Sequence, residues 1–572
     1  MTNPQRVVVI GGVAAGPKAA SRLRRLMPDA DITIIERGKI LSYAGCGMPY
    51  CIAGDMPDCN KLNYTAAGIP RDPVYFRTVK NLTVIDNTLA TAIHRNAKTV
   101  DLVNVETGAS QAMPYDKLII ATGGTHITPP LEGVRLNRVF RLAHPGDAIA
   151  IRDLVVSGSA KRAVLIGGGL IGMEVTEAFV RRGLHVTIVE MLPHILPKML
   201  DPEMAAFLTN YLCAQGVEIC TGERVLRLVG NEHGNVSKVV TDRGEIDADM
   251  VLLSVGVRPN SQLAREAGLD IGATGGIVVN EHMQTSDPDI YSAGDCVENR
   301  HLITSQKAYA PMGSTANKQG RVIANHIAGI PDRFDGIVGT AVVKILDYNV
   351  GKTGLTEQEA RQAGFDVVTA LNPGNDRAHY YPTHKRVLMK MVVDAKTGRV
   401  LGLQVVGPGD GVKRVDVMAT ALHFGATVDD ISVLDLGYAP PYSEAIDLIA
   451  HTANIIRNKR TGVAKTLSPI DVKAKLDRGE DFVWLDVRTT AEYEKDHIED
   501  PRVKLIPLGK LRERARELPK DEEIIIFCAV SLRGYEAQRL LDAEGFKDVK
   551  FMDGGIVAWP YEKAGFVPPA RR

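Results

Sequence analysis

Seven cysteines are spread along the chain: Cys46, Cys51, Cys59, Cys213, Cys220, Cys296 and Cys528. They are too few and too irregular for a secreted disulfide framework, so each is read as a buried hydrophobe or a working thiolate. Cys528 has a telling setting: it follows the apolar run Ile524-Ile525-Ile526-Phe527 and opens Ala529-Val530-Ser531-Leu532-Arg533-Gly534, a helical start. A strand end passing into a helix aims backbone N–H groups and the positive end of the helix dipole at the sulfur, favouring a thiolate and an anionic persulfide. Arg533 adds a fixed cation to the same loop. Far upstream, Lys18, Arg22 and Arg25 fall at near i, i+4, i+7 spacing and share one helical face, a basic surface that suits phosphates or simply faces water.

Two glycine-rich turns are the elements that must position chemistry. The strand-like Val7-Val8-Val9-Ile10 runs into a turn with Gly11, Gly12, Ala15 and Gly16, then into a helical pattern through Ala20, Leu23 and Leu26. A second strand, Ile32–Ile35, ends at Glu36, where a carboxylate can accept from a ribose hydroxyl pair. The unit repeats: Val164-Leu165-Ile166 leads to Gly167, Gly168, Gly169 and Gly172, and Val186–Val189 ends at Glu190. Glycines let the backbone approach a pyrophosphate, and the helix N-terminus holds it. The first turn departs from the pattern with Val13 at the middle-glycine position. Glu190 would bond a ribose 2′-hydroxyl and repel a 2′-phosphate, and Met191-Leu192 supply no arginine, so NADH is favoured over NADPH.

At 572 residues the chain needs several cores. Its 68 basic and 68 acidic residues cancel, which removes the main warrant for a nucleic-acid partner. Neither a signal peptide nor a membrane-spanning apolar run is evident, so a cytoplasmic protein without a membrane partner is expected. Trp484 and Trp559 are the only tryptophans, and both lie in the last 90 residues, as an appended module would place them.

Tyr115–Gly123, with Ala121, Thr122 and Gly123 at its end, closes the first unit, and Ile290-Tyr291-Ser292-Ala293-Gly294-Asp295 follows the second. Here the chain resembles the two-dinucleotide flavoprotein disulfide reductases over residues ~5–455. The resemblance implies FAD on the first fold, NAD(P)H on the second, and Asp295 near the flavin's ribityl-phosphate region. Val251–Asn260, including Gly256, resembles the crossing back to the flavin domain.

Ser42-Tyr43-Ala44-Gly45-Cys46-Gly47-Met48-Pro49-Tyr50 resembles the signature of the coenzyme A-disulfide reductase and NADH oxidase/peroxidase branch, which implies that Cys46 is the redox cysteine. Cys51 stands at a dithiol-like spacing from Cys46, yet with different flanking residues; it is read as packing, with a resolving thiol as the alternative. Cys59, Cys213, Cys220 and Cys296 are read as structural. By the same resemblance Lys18, Arg22, Arg25, Ser42 and Asn317 occupy coenzyme A-binding positions. Where the family has a late arginine, this chain has Ile446 and Asp447. Residues ~335–455 resemble the family's dimerisation domain, so a homodimer is implied. Tyr438, in Gly437-Tyr438-Ala439-Pro440-Pro441, would protonate or hydrogen-bond the departing sulfur in the partner's site, with Tyr380 and Tyr381 as a second source.

The segments Phe482–Arg488, Cys528–Gly534 and Gly554–Trp559 resemble, in this order, a single rhodanese domain over ~468–566. The Cys-x4-Arg loop is one residue shorter than that of related cysteine phosphatases and better matched to one sulfur atom than to phosphate. The expected fold is α/β: two Rossmann-like dinucleotide-binding domains (FAD, 1–150 and 278–332; NAD(H), 151–277), an α+β dimerisation domain (333–456), a linker (457–467) and a C-terminal rhodanese domain (468–572). The expected enzyme uses FAD and NADH to reduce coenzyme A persulfide, polysulfide and coenzyme A disulfide at Cys46, with Cys528 supplying sulfane sulfur and no metal. Its rivals are an NADH oxidase or peroxidase with a cysteine sulfenic acid, and a redox-sensing sulfur-delivery scaffold.

Overall fold

The computed structural model describes residues 4–566, so the outermost residues of the first and last expected domains lie outside it. Two compact units divide the chain: the first runs to Gly167 and includes Val175–His185 and Val225–Ile337; the second takes Gly168–Glu174, Val186–Arg224 and the chain from Val338 onward.

In the first unit, a five-stranded parallel sheet has the order Ile290–Ser292, Lys117–Ile120, Arg6–Ile10, Asp31–Ile35, Thr83–Ile85. Its central strands are buried on both faces, which is why they read as unbroken apolar runs rather than alternating ones. The helix Ala15–Leu26 leaves the first glycine turn and lies so close to the helix Gly313–Ile327 that a Cβ on Gly320 would stand 2.6 Å from the Ala15 carbonyl oxygen. The expected crossing is an antiparallel ribbon in which Val257–Pro259 pairs with Gly124–His126.

The second unit carries the parallel pairing of residues Thr187–Glu190 with Glu218–Thr221. It also carries an antiparallel sheet ordered Ala341–Ile345, Tyr348–Gly354, Val400–Gly407, Arg386–Asp394, Val367–Asn375. Helices Val412–His423 and Leu448–Arg460 bury their apolar sides. The expected linker, 457–467, is helical up to Arg460. Beyond it lies a second parallel sheet, ordered Thr466–Leu467, Asp548–Met552, Glu523–Phe527, Val483–Asp486, Val503–Leu505. Trp484 is fully buried there, its ring 5.3 Å from Trp559 and 5.4 Å from Phe527. The tryptophan skew thus marks one aromatic core.

Candidate functional site

The first glycine turn is built for close backbone approach. Gly11 has φ +114°, and a Cβ there would stand 2.1 Å from the Ala121 carbonyl oxygen; only glycine fits. The Glu36 carboxylate, at the end of its strand, accepts from the Gly12 amide at 2.7 Å and the Gly38 amide at 2.9 Å. No side chain caps the start of helix Ala15–Leu26, so its first-turn N–H groups are left for an anion. Thr122 Oγ1 donates to the Asn260 carbonyl at 2.7 Å, and the Asn260 side chain donates back to the Thr122 carbonyl at 2.9 Å. Asn260 is a support that the sequence offered no reason to single out. Burial pushes the Asp295 carboxyl up, and the neighbouring Gly294 amide is held by the buried Gln319 at 2.8 Å.

The second turn repeats this construction. Gly167 has φ +105°, Glu190 accepts from the Gly168 amide at 2.7 Å and the Leu192 amide at 2.8 Å, and a Cβ on Gly169 would meet only open space. Gly256 adopts φ +114°. Each turn therefore presents glycine backbone and an ordered acid, an arrangement that fits a dinucleotide.

The loop bearing Cys46 is stitched to the first turn. The Ser42 amide donates to the Gly12 carbonyl at 2.8 Å, and the Ser42 carbonyl accepts from Arg71 at 3.1 Å. Ser42 itself is held at φ +50°. Cys46 comes next, in an exposed 3-10 turn, Gly45–Gly47, and the helix Met48–Ala53 begins directly after it. Burial raises the Tyr43 hydroxyl's pKa, and its ring meets His144 edge-on.

Two expectations change here. The sequence presents Cys51 as packing and Cys59 as an isolated structural residue; instead they form a disulfide, with Cα atoms 5.5 Å apart. Left-handed Gly54 ends the helix after Cys51, and the 3-10 turn Cys59–Asn63 brings the chain back. That returning turn braces the Cys46 loop, because the Ala44 amide donates to the Leu62 carbonyl at 2.8 Å.

Lys18, Arg22 and Arg25 lie on helix Ala15–Leu26 as expected; Lys18 and Arg25 are exposed, whereas Arg22 is half-buried and donates to Asn325 at 3.0 Å. Asn317, exposed on the neighbouring helix, donates to the Gly313 carbonyl at 2.8 Å.

In the second unit Tyr438 is 51% exposed. A hydrogen bond with Tyr438, together with desolvation, raises the Tyr380 hydroxyl's pKa, so the two expected tyrosine sources share one place. Their segment is anchored from below. Ser443 donates to Asp447 at 2.7 Å, and the buried Arg414 donates to the same carboxylate at 2.7–3.2 Å and to the Asp410 and Asp376 carbonyls at 2.6 and 2.7 Å. Asp447, beside the place where the family resemblance implies an arginine, thus has its own buried arginine partner.

Cys528 is only 1% exposed and accepts from the Ser531 amide at 3.3 Å. Ser531 holds φ +111°, and its hydroxyl accepts from the Gly554 amide at 2.7 Å. A non-glycine residue so far into positive φ is strained, as loops at reactive groups often are. Gly555 and its neighbours cradle the loop: the Ile556 amide donates to the Cys528 carbonyl at 2.9 Å. Arg533 makes a bidentate pair with Glu492, at 2.6 and 2.7 Å, which lowers the Glu492 carboxyl to about 2. The expected cation is present, but a carboxylate already partners it.

Residues 5–319 match the pyridine nucleotide-disulphide oxidoreductase family, 340–450 match that family's dimerisation domain, and 468–562 match the rhodanese-like domain. An NAD(P)H coenzyme A polysulfide/persulfide reductase from Pyrococcus horikoshii is 39% identical over 459 residues, 79% of this chain and 98% of that protein. Among solved structures, a NAD-dependent persulfide reductase from A. fulgidus superposes with a TM-score of 0.92 at 43% identity, covering 97% of this chain and all of that one. The reduced Bacillus anthracis CoADR-RHD gives 0.90 at 34% identity, covering 97% and 98%. With two nucleotide turns, a cysteine loop stitched to the first of them and a separate thiol cradle near the carboxyl end, the chain belongs to the pyridine nucleotide-disulphide oxidoreductase family and carries a rhodanese-like domain.

Proposed function

We propose that this protein is an NADH-dependent reductase of coenzyme A persulfide, polysulfide and coenzyme A disulfide whose rhodanese-like domain supplies sulfane sulfur. The observation that carries the reading is the coexistence of an exposed cysteine loop stitched to a dinucleotide turn with a cradled cysteine at a strand–helix junction. The similarity to named persulfide reductases supports it.

Gly11, Gly12, Ala15, Gly16, Glu36, Ala121, Thr122, Gly123 and Asp295 would hold FAD, while Gly167, Gly169, Gly172, Glu190 and Gly256 would hold NADH. When bound, FAD supplies the two-electron connection between NADH and sulfur at Cys46. Cys528 attacks the sulfane sulfur of a donor, takes that sulfur as a persulfide while the remainder of the donor leaves, and passes the sulfur to a coenzyme A thiolate. Arg533 faces the anionic donor. The Cys46 thiolate attacks the coenzyme A-bearing sulfur of the resulting persulfide, the S–S bond to the outer sulfur breaks, and hydrosulfide departs, leaving a Cys46–coenzyme A disulfide. Lys18, Arg22, Arg25, Ser42 and Asn317 bind the coenzyme A moiety. Tyr438, with Tyr380 beside it, donates a proton or hydrogen bond to the leaving sulfur.

The active form is a homodimer in a cytoplasmic setting, where NADH and coenzyme A are at hand. Large apolar side chains left exposed in residues 340–450, among them Phe424, Val433 and Tyr442, support the dimer. Anaerobic NADH consumption with coenzyme A persulfide tests the reading. Cys46→Ser is expected to abolish it and Cys528→Ser to abolish sulfur transfer from thiosulfate; full activity of either variant overturns the corresponding assignment.

A further inference from the structure

Lys459 is the one lysine of the helix Leu448–Arg460 and lies in the expected linker, 457–467. Its side chain is almost wholly buried. The ammonium donates to the Thr369 carbonyl, in the strand Val367–Asn375, at 2.6 Å, and pairs with the Asp553 carboxylate just beyond the strand Asp548–Met552. A buried lysine at the end of the helix that leaves the matched dimerisation domain therefore meets a buried aspartate of the rhodanese-like domain.

The residues immediately after Asp553 give the contact its meaning. Gly554 has φ +74°, and its amide donates to Ser531 Oγ at 2.7 Å. Ser531, at φ +111°, turns its own amide onto Cys528 Sγ at 3.3 Å. A Cβ on Gly555 would stand 2.4 Å from the Cys528 carbonyl oxygen, while the Ile556 and Val557 amides donate to the Cys528 and Ala529 carbonyls at 2.9 and 3.2 Å. The segment from Asp553 to Val557 is therefore the floor of the Cys528 loop. Burial pushes the Asp553 carboxyl up, against the opposing charge of Lys459 and bonds from the Leu371 backbone and the Thr466 side chain. Without the lysine, that buried carboxylate has no countercharge and must protonate or shift. The strained Ser531 geometry persists only while its surroundings over-determine it.

We propose that Lys459 is a positioning residue for the sulfurtransferase nucleophile, acting through Asp553, Gly554 and Ser531 to aim the Ser531 amide at Cys528, so that the helix leading into the rhodanese-like domain sets that domain's reactivity. The inference rests on Cys528 being the sulfur-accepting thiol.

The test is single-turnover loading of the full-length protein with thiosulfate. In that step the Cys528 thiolate bonds the outer sulfur, the S–S bond of thiosulfate breaks and sulfite leaves; the product is quantified as Cys528 persulfide by peptide mass spectrometry. Lys459→Met is expected to slow loading by about ten- to hundredfold, the range that small misplacements of a reacting group produce. Lys459→Arg, which keeps the charge, is expected to restore most of the rate. Asp553→Asn removes the charge with little change of shape and provides a second route if Lys459→Met does not fold. It is expected to slow loading comparably, and adding Lys459→Met to it should cost little more. Wild-type loading in Lys459→Met or Asp553→Asn overturns the inference, as does a loss that arginine fails to restore or an additive double variant. Loading that survives Cys528→Ser instead overturns the assignment of the thiol, so the two failures are distinguishable.

Discussion

Arg414→Met tests the buried pair beneath the Tyr438 segment. The guanidinium and the Asp447 carboxylate are 2% and 4% exposed, so water cannot replace either partner cheaply. Burial alone would raise the Asp447 carboxyl's pKa, but the bonds and charge of Arg414, with the Ile449 amide and Ser443, hold it below the ordinary value. Removing one partner of such a pair costs about 3–5 kcal/mol, because the other is left as an uncompensated buried charge. Asp447 also caps the helix Leu448–Arg460, so the loss should be read there. Hydrogen exchange of that helix's amides, corrected for intrinsic rates, should show protection lower by about two to four powers of ten at neutral pH. In the wild type, a depressed folded-state value contributes stability above the unfolded pKa, and that stability is lost as pH falls through the folded value. In the variant the sign reverses: only the Ile449 amide and Ser443 still oppose burial, so the deficit grows as pH rises past the ordinary aspartate range. Arg414→Met combined with Asp447→Asn should recover most of the protection at neutral pH, since no charge remains. A loss below about 1 kcal/mol, or one identical at pH 5 and pH 7.5, would refute the assignment of a mutually dependent buried pair.

Three further outcomes are expected. Opening the Cys51–Cys59 disulfide, which spans a sequence separation of 8, should cost about 2–3 kcal/mol by loop entropy; reductant should lower the melting temperature of the native protein and leave Cys51→Ala/Cys59→Ala unaffected. Glu492→Gln should lower the thiosulfate KM about fivefold or less, because it releases Arg533 from a half-exposed pair worth about 1 kcal/mol after solvent screening; an unchanged KM shows that the guanidinium does not meet the donor. With the Glu492 carboxyl held at about 2, the stabilising contribution of that pair is present above the ordinary glutamate value and fades only as pH falls towards 2, which acid titration of the carboxyl by NMR would show.

The glycine turns were legible in the sequence because close backbone approach at Gly11 tolerates no other residue, and that requirement leaves a local pattern. The Cys528 loop was legible for a related reason: a strand, a thiol and a helix stand next to one another in the chain. What escaped depends on residues brought together from afar. Cys51 and Cys59 meet only because Gly54 turns left-handed and a 3-10 turn returns the chain. Arg533 and Glu492 lie 41 positions apart, and neither predicts the other. A lone arginine on a helix reads as a surface charge, so Arg414 gave no sign of being the buried partner of Asp447. Lys459 was hidden by composition, since the polar stretch around it imitates a linker while its helix continues.

The paired acids Glu36 and Glu190 bear on redesign of the cofactor preference. Each carboxylate already binds two backbone amides, those of Gly12 and Gly38 in one turn and of Gly168 and Leu192 in the other. The side chain that would read a ribose is thus also a strut for the turn that receives the pyrophosphate. An engineer who exchanges Glu190 for a small or basic residue to admit a phosphorylated ribose removes two acceptors from the scaffold at the same stroke. A workable exchange must bring a replacement oxygen for the Gly168 and Leu192 amides along with the new positive charge.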